Sequence, residues 1–115
     1  MSILVSEIQT ARALSVSVAE DTLTVDLDDG RTISVPLAWY PRLWYGRQSE
    51  RHNWRFIGDG VGIHWPELDE DISIKGLLLG KQSGESQRSL KRWLEQRGNF
   101  SKSRKFNANQ EVIAR

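Results

Sequence analysis

The chain has 115 residues, which predicts one domain with enough apolar residues for a single core without metal or disulfide support. It contains no cysteine, which excludes a disulfide scaffold, a thiolate zinc site and a cysteine nucleophile and fits the cytoplasm. No apolar run approaches the ~18 residues of a membrane span, and the first residues lack the basic start and long apolar stretch of a signal peptide. We therefore expect a cytoplasmic protein without a membrane segment.

The net charge of +1 is unevenly distributed along the chain. Residues 1–80 contain seven Arg and Lys against twelve Asp and Glu, whereas residues 81–115 contain nine Arg and Lys against three acidic residues. Such asymmetry indicates a polyanionic partner for the C-terminal segment, attraction between this segment and the rest of the chain, or simply a solvated basic tail.

Three N-terminal runs alternate apolar with polar residues, the period of half-buried strands. The apolar members are Leu14, Val16 and Val18, then Leu23, Val25 and Leu27, then Ile33, Val35 and Leu37. Asp29 and Gly30 separate the second and third runs, which indicates a hairpin. The sequence therefore predicts a three-stranded antiparallel meander with one apolar face.

The parity of the second and third runs determines the length of their loop. A two-residue loop would place apolar residues opposite polar ones, whereas a three-residue loop, residues 28–30, keeps the apolar residues on one face. The predicted pairs are Leu27 with Arg31, Val25 with Ile33, Leu23 with Val35 and, in the first hairpin, Val18 with Leu23. Loops of this length usually require a glycine with positive φ, so we expect Gly30 to adopt that conformation.

The aromatic segment from residue 37 to residue 56 predicts one or two short helices on the apolar face of the sheet. Pro41 favours a helix start, and Ser49 is a plausible N-cap followed by Glu50. Core packing is the simpler role for the tryptophans, with a stacking platform for bases or a small ligand as the alternative. We expect Trp39, Trp54 and Trp65 to be mostly buried.

The segment from residue 57 to residue 80 combines turns and short strands. Residues 58–60 form a glycine turn, residues 61–65 alternate as a fourth strand that Pro66 ends, residues 72–74 form a short fifth strand, and residues 76–80 form a helical turn. Its acidic residues are Asp59, Glu67, Asp69, Glu70 and Asp71. They are typical turn formers, although they also offer a charged surface.

The segment from Gln87 to Arg97 predicts a helix with Ser86 or Ser83 as its cap and Gly98 at its end. Its apolar stripe consists of Leu90, Trp93 and Leu94. A helix this short is unstable alone, so it must dock on its own domain or on a second copy. We hypothesise a homodimer in which Trp93 anchors the interface. The residues after Gly98 are polar and basic and have no periodicity.

The sequence contains little that indicates a catalytic site or a metal site. His64, Asp69 and Asp71 lack a metal-binding spacing, and the sequence has neither a nucleophile motif nor a dinucleotide-binding glycine pattern. We therefore expect no metal, no cofactor and no enzymatic activity. For nucleic acid, the candidates are basic residues that would contact phosphates, namely Arg88, Lys91, Arg92, Arg97, Lys102, Arg104 and Lys105.

The strings DDGRTISVPLAWYPRL, at residues 28–43, and NWRFIGDGVGIHWPELDEDISIKGLLLG, at residues 53–80, resemble the bacterial family called domain of unknown function 2442, over about residues 14–80. The resemblance implies a small α+β fold and no established catalytic activity. Some relatives carry a helix-turn-helix domain behind this one, and others are encoded beside a second small protein, as in toxin–antitoxin pairs. This chain has one helix and a tail after residue 80, too little for a full DNA-binding domain.

Together these observations predict an α+β fold, an antiparallel β-meander with short helices on one face, over residues 1–80, followed by a basic helix and tail over residues 81–115. We expect a non-enzymatic protein-interaction or regulatory module that binds a protein partner or itself, with nucleic-acid binding through the basic segment as the alternative. The candidate partner-binding residues are Arg42, His64, Glu67, Asp69, Asp71 and Trp93.

Overall fold

A computed structural model describes residues 11–98 of the chain and confirms the α+β class. The contacts divide the chain into two compact units, residues 1–82 and residues 83–115. The described part of the first unit holds two small sheets with short helices, and that of the second holds one helix. The predicted division after residue 80 stays a prediction, because it concerns whether residues 1–80 fold without the rest of the chain.

The first sheet is the predicted meander. Its strands are β1 (Ala13–Val18), β2 (Thr22–Leu27) and β3 (Thr32–Pro36), antiparallel and in that order. The predicted pairs of Val25 with Ile33, Leu23 with Val35 and Val18 with Leu23 are all present.

The β2–β3 loop has the predicted three residues. The N–H of Leu27 donates to the carbonyl of Arg31 at 2.8 Å, which closes the loop around residues 28–30. Gly30 has a φ of 95°, in the region where a side chain is strained, so this prediction is confirmed.

Strand β1 contains a bulge that the alternation pattern does not reveal. Ala13 pairs with Leu27 and Ser15 pairs with Asp26, so Leu14 is an extra residue with no opposite partner. Ala13 is therefore buried in its place, and Leu14 is 64% exposed. The prediction that Leu14 lies on the apolar face is wrong.

Three short helical segments follow β3, namely a 3-10 turn (Leu37–Trp39), α1 (Pro41–Trp44) and α2 (Gln48–Arg51). A further helix, α3 (Ile74–Leu78), lies near the end of the first unit. Helix α1 begins at Pro41 as predicted. The cap of α2 is Arg47 rather than Ser49, because the Arg47 N–H donates to the Glu50 carboxylate at 2.8 Å.

A second three-stranded antiparallel sheet contains β4 (Arg55–Ile57), β5 (Gly62–Trp65) and β6 (Glu70–Ser73) in that order. A 3-10 turn (Gly58–Gly60) joins β4 to β5, at the predicted glycine turn. Strand β4 was not anticipated, Val61 lies outside β5, and Ile74 begins α3 rather than extending β6.

The core of the first unit joins the inner faces of both sheets with the short helices. Its largest fully buried side chains are Trp65, Leu23, Leu37, Leu43, Ile63, Leu68, Ile74 and Val25. The indole N–H of Trp65 donates to the carbonyl of Arg51 at 2.9 Å, so its one polar group is satisfied. Trp39 and Trp54 retain part of their surface, and the Trp54 ring lies 5.0 Å from that of Phe56.

In the second unit, α4 (Gln87–Arg97) has the predicted bounds. The hydroxyl of Ser86 caps it by accepting the N–H of Ser89 at 3.0 Å, which decides between the two predicted caps. Gly98 ends the helix with a φ of 73°.

Candidate partner-binding site

Three charged or titratable residues form one row across the second sheet. Arg55 on β4 is opposite His64 on β5, which is opposite Asp71 on β6. Residues directly opposite one another in a sheet project from the same face. The neighbouring residues Ile63 and Ile72 are buried on the other side, so the row lies on the outer face.

His64 and Asp71 are directly bonded across this outer face. The Nδ1 atom of His64 and a carboxylate oxygen of Asp71 form a hydrogen bond, which is an ion pair whenever the imidazole is protonated. The His64 side chain is 21% exposed and that of Asp71 is 67% exposed. A carboxylate at Nδ1 fixes the imidazole orientation and favours Nδ1–H in the neutral ring.

Ile57 adds an apolar element to the same face. It lies two residues beyond Arg55 on β4, and its Cβ is 3.5 Å from where a Cβ of Gly62 would be. The missing side chain at Gly62 therefore leaves room for Ile57 over β5. Ile57 is 41% exposed, and Val61 in the adjoining turn is 42% exposed. We call Arg55, Ile57, Val61, His64 and Asp71 the β4–β6 surface.

The acidic turn between β5 and β6 is fastened on both sides. The Arg42 guanidinium donates to the Leu68 carbonyl at 3.4 Å and lies 3.7 Å from the Asp69 carboxylate. The Asn53 amide donates to the Glu67 carboxylate at 3.0 Å. Leu68 is fully buried between the two acidic residues, so this turn is packed against the body of its unit.

The structure thus separates the predicted partner-binding residues into groups. His64 and Asp71 are bonded to each other, Arg42 meets Asp69, and Glu67 meets Asn53. Arg42 is only 17% exposed, and its contacts serve the turn. Trp93 belongs to the other unit.

Sequence reasoning missed Ile57 and Val61 as surface residues. Alternation assigned Val61 to a strand, and Ile57 lies in a three-residue strand too short to show a period. The glycines on either side were the available signal, since they mark a turn between Ile57 and Val61, where φ is positive at residues 58, 59 and 60.

Helix α4 separates its basic and apolar residues. Arg88, Lys91 and Arg92 have the spacing of one helical face and are exposed, whereas Leu90, Trp93 and Leu94 share the opposite face and are half-buried. The Arg97 guanidinium lies 4.5 Å from the centre of the Trp93 ring, a cation–π contact. Lys102, Arg104 and Lys105 lie outside the described residues.

Other features offer less to a ligand. A cavity of about 60 Å³ beside α2 and the β1–β2 turn is much smaller than a typical small-molecule site of roughly 300 Å³ or more. Among residues 11–98, no group of three His, Asp or Glu side chains is placed to hold a metal ion. Within the same residues, no helix is long and apolar enough to cross a bilayer.

The comparisons with known proteins agree with this fold. The model of the family described as "protein of unknown function (DUF2442)" matches residues 13–83. The chain belongs to this family. A crystal structure of a protein of unknown function from Rhodospirillum rubrum is 27% identical with a TM-score of 0.57, over 65% of this chain and 93% of that one.

A second solved structure is similar in fold. The solution NMR structure of an uncharacterised protein from Chromobacterium violaceum has a TM-score of 0.59 at 16% identity, over 84% of each chain. A comparison with curated protein sequences finds no match.

Proposed function

We propose that this DUF2442 member is a non-enzymatic protein-interaction or regulatory module of the cytoplasm, and that it binds its protein partner through the β4–β6 surface. The observation that carries the proposal is the exposure of Ile57 on the same face as the charged row of Arg55, His64 and Asp71, with Val61 also exposed in the adjoining turn. Interface centres combine apolar side chains with a polar rim.

The chemistry of this surface defines the partner it fits. Ile57 and Val61 favour an apolar side chain of the partner, and the exposed Arg55 favours a carboxylate beside it. The Asp71 carboxylate holds His64 in one orientation, so this part of the surface is ordered before binding.

The test compares Ile57→Lys with the matched control Leu79→Lys, which changes an exposed leucine elsewhere in the chain. Proteins that co-purify with the wild type from its bacterial host are identified, purified and titrated by calorimetry. We expect Ile57→Lys to weaken binding at least ~10-fold, because truncating or charging an interface centre removes about 1.4 kcal/mol or more. Leu79→Lys should bind like the wild type.

Equal binding by both variants would show that the partner uses another surface. Arg55→Glu separates the two parts of the surface, since it removes the predicted carboxylate contact and leaves Ile57 in place. Its effect should shrink in high salt, because exposed charge pairs are screened. The effect of Ile57→Lys should persist there to a greater extent.

Nucleic-acid binding is a second candidate, favoured by the exposed face of α4 that carries Arg88, Lys91 and Arg92. Duplex DNA binding should then weaken with salt by a log–log slope of about −0.9 for each neutralised phosphate. The double variant Lys91→Gln/Arg92→Gln should make that slope about 1.8 less steep. Lys75→Gln/Lys81→Gln, with the same charge change outside α4, should leave the slope unchanged.

A further inference from the structure

The imidazole of His64 has one nitrogen engaged and the other open. Its Nδ1 atom is bonded to the carboxylate of Asp71. Its Nε2 atom is neither hydrogen-bonded to a described residue nor fully buried. Nε2 is therefore accessible from solvent on the outer face of the second sheet.

Asp71 determines what Nε2 can bind. An ionised carboxylate only accepts hydrogen bonds, so Nδ1 must carry a hydrogen in order to donate to Asp71. In the neutral ring Nε2 is then an acceptor, and its lone pair repels the lone pairs of an anion. In the protonated ring Nε2 also carries a hydrogen and is a donor. The gain of one proton therefore converts Nε2 from an acceptor into a charged donor.

Arg55 supplies a second donor beside Nε2. It lies directly opposite His64 in the β4–β5 pair, and side chains in that relation have Cβ atoms about 4.5–5.5 Å apart. Arg55 is exposed, and within residues 11–98 its side chain has no hydrogen bond or ion pair. Asp71 lies on the far side of His64, two strands away from Arg55. The guanidinium is therefore available to a ligand.

We propose that Arg55 and His64 bind one carboxylate of the protein partner between them, and that His64 takes up a proton as this carboxylate docks. The inference rests on the proposed function and adds to it the ligand group and its dependence on pH. The guanidinium and the Nε2–H group are both charged donors, which match the two acceptor oxygens of a carboxylate. Binding should therefore strengthen as the pH falls through the range in which histidine gains its charge, usually between pH 8 and pH 5.

The charges around His64 favour an anion over a cation in the protonated state. The groups that face His64 from the neighbouring strands are Arg55 on β4 and Asp71 on β6. In the nearby acidic turn, the Asp69 carboxylate lies 3.7 Å from the guanidinium of Arg42. The row of Arg55, His64 and Asp71 has no net charge while His64 is neutral and one positive charge once it is protonated. A carboxylate of the partner is therefore attracted to the whole row only in the protonated state.

The first test uses the protein alone with formate, the smallest carboxylate, which stays ionised from pH 5.5 to pH 8. The ring C–H signals of the two histidines are followed by NMR while sodium formate is added, with sodium chloride at equal ionic strength as the reference. His64→Gln assigns the signals. At pH 5.5 formate should shift the His64 signals further than chloride does, and at pH 8 the two salts should act alike.

Arg55→Gln tests the second donor in the same measurement. It should reduce the formate-specific shift of His64 by about half or more, because one of the two charged donors is removed. Arg55→Lys keeps a charged donor and should retain most of that shift. A melting curve of each variant checks its fold, which a change at an exposed residue should preserve.

Three outcomes of this test overturn the proposal. Formate and chloride have the same effect on His64 at pH 5.5, or formate has the same effect at both pH values, or Arg55→Gln responds as the wild type does. The first excludes a carboxylate site, the second excludes its dependence on the proton, and the third excludes Arg55.

The second test measures the proton in the complex with the co-purified partner. Calorimetric titrations at pH 6.5 in two buffers of different ionisation enthalpy give the number of protons taken up on binding. The wild type should take up more protons than His64→Gln, whose amide can donate at every pH. The ratio of the affinities at pH 5.5 and pH 8 should be at least about threefold larger for the wild type than for His64→Gln.

His52→Gln is the matched control for this titration. His52 follows α2 and donates or accepts at the Gln48 carbonyl at 2.7 Å, away from the row on the second sheet. It should behave like the wild type. Because the partner's own titrating groups contribute to every titration alike, the comparison between variants isolates His64.

This inference and the proposed function can fail separately. If Ile57→Lys weakens binding while the wild type and His64→Gln have the same pH dependence, the surface binds the partner and the inference is wrong. If His64 responds to formate as expected and Ile57→Lys binds like the wild type, the broader proposal alone is removed.

Discussion

Two glycines with nearly equal φ angles have different surroundings. Gly30 has a φ of 95° and no atom within 4 Å of where a Cβ would lie. Gly60 has a φ of 96°, and its Cβ would lie 2.7 Å from the carbonyl oxygen of Ala13. Backbone conformation alone restricts Gly30, whereas Gly60 is also restricted by the backbone of β1.

Gly60→Ala should therefore destabilise the protein more than Gly30→Ala, which should cost about 1 kcal/mol. Gly30→Val should cost somewhat more, about 1–2 kcal/mol, because a β-branched residue fits positive φ poorly. Urea unfolding at constant m-value measures all three. Gly84→Ala is the control, since Gly84 has an ordinary φ and open space around it. Equal values for Gly60→Ala and Gly30→Ala would contradict the close approach to β1.

Trp65 is the fully buried tryptophan among the three that were predicted to pack in the core. Trp65→Ala should lower the free energy of unfolding by about 3–5 kcal/mol, as expected for a large aromatic side chain in a core. Trp54 lies at the edge of the second sheet and is partly exposed, so Trp54→Ala should lower it less. Thermal and urea unfolding check the order, and a larger effect at Trp54 would show that the core is centred elsewhere.

Among the elements, the first sheet was predictable because its information is local. Each apolar run alternates over five or more residues, and loop length follows from parity once the buried face is known. The bulge at Leu14 was not predictable, because nothing in the run ALSVSV distinguishes it from regular alternation. It becomes visible only when Ala13, rather than Leu14, is found opposite Leu27.

The second sheet and the acidic turn depend on contacts between distant residues. Strand β4 has three residues, all exposed, and so has no buried period to detect. Arg42 fastens a turn 26 residues away at Leu68, and Asn53 reaches Glu67 over 14 residues. The sequence analysis gave Arg42 and Glu67 as candidate partner-binding residues, but only the fold shows that their contacts hold the acidic turn in place.

The outer face of the first sheet has a polar ladder centred on Asp26. Its carboxylate accepts hydrogen bonds from Ser15 at 2.8 Å and from Thr32 at 2.7 Å, which joins all three strands. These hydrogen bonds, with that of Thr32 the stronger, lower the pKa of Asp26 below its usual value of 3.8. The folded state therefore favours the charged form.

The stability that the Asp26 carboxylate contributes is fully present above the pKa that this group has in the unfolded chain. It is lost as the pH falls through the lower pKa that the group has in the folded protein. We expect the free energy of unfolding to decrease below about pH 4. Asp26→Asn should be less stable than the wild type at pH 7 and should lose less of its remaining stability on acidification. Urea midpoints at pH 7 and at pH 3 measure both. If Asp26→Asn loses as much stability between pH 7 and pH 3 as the wild type does, other carboxylates are responsible for the acid sensitivity. Asp29 is one of these, since its hydrogen bond from Arg31 also lowers its pKa.

At the scale of the whole molecule, the family match ends at residue 83 and the first unit ends at residue 82. One hydrogen bond joins the last residues of the first unit to a buried side chain. The buried phenol of Tyr40 donates to the carbonyl of Lys81 at 2.9 Å. Burial, and to a lesser extent the charge of Glu70, raise the pKa of Tyr40, so the phenol remains a donor at neutral pH.

A chain of residues 1–82 should therefore fold on its own, with a single cooperative transition. A chain of residues 1–80 lacks Lys81 and leaves the Tyr40 hydroxyl without its acceptor. Its free energy of unfolding should therefore be about 1–3 kcal/mol lower than that of the 1–82 chain. The measurement is urea unfolding of both chains, each with Tyr40 and with Tyr40→Phe. If the hydrogen bond is the cause, the difference between the two chain lengths should disappear in Tyr40→Phe. A 1–82 chain that fails to fold would show that residues 83–115 belong to the same domain, and an undiminished difference in Tyr40→Phe would assign it to Lys81 and Gln82 themselves.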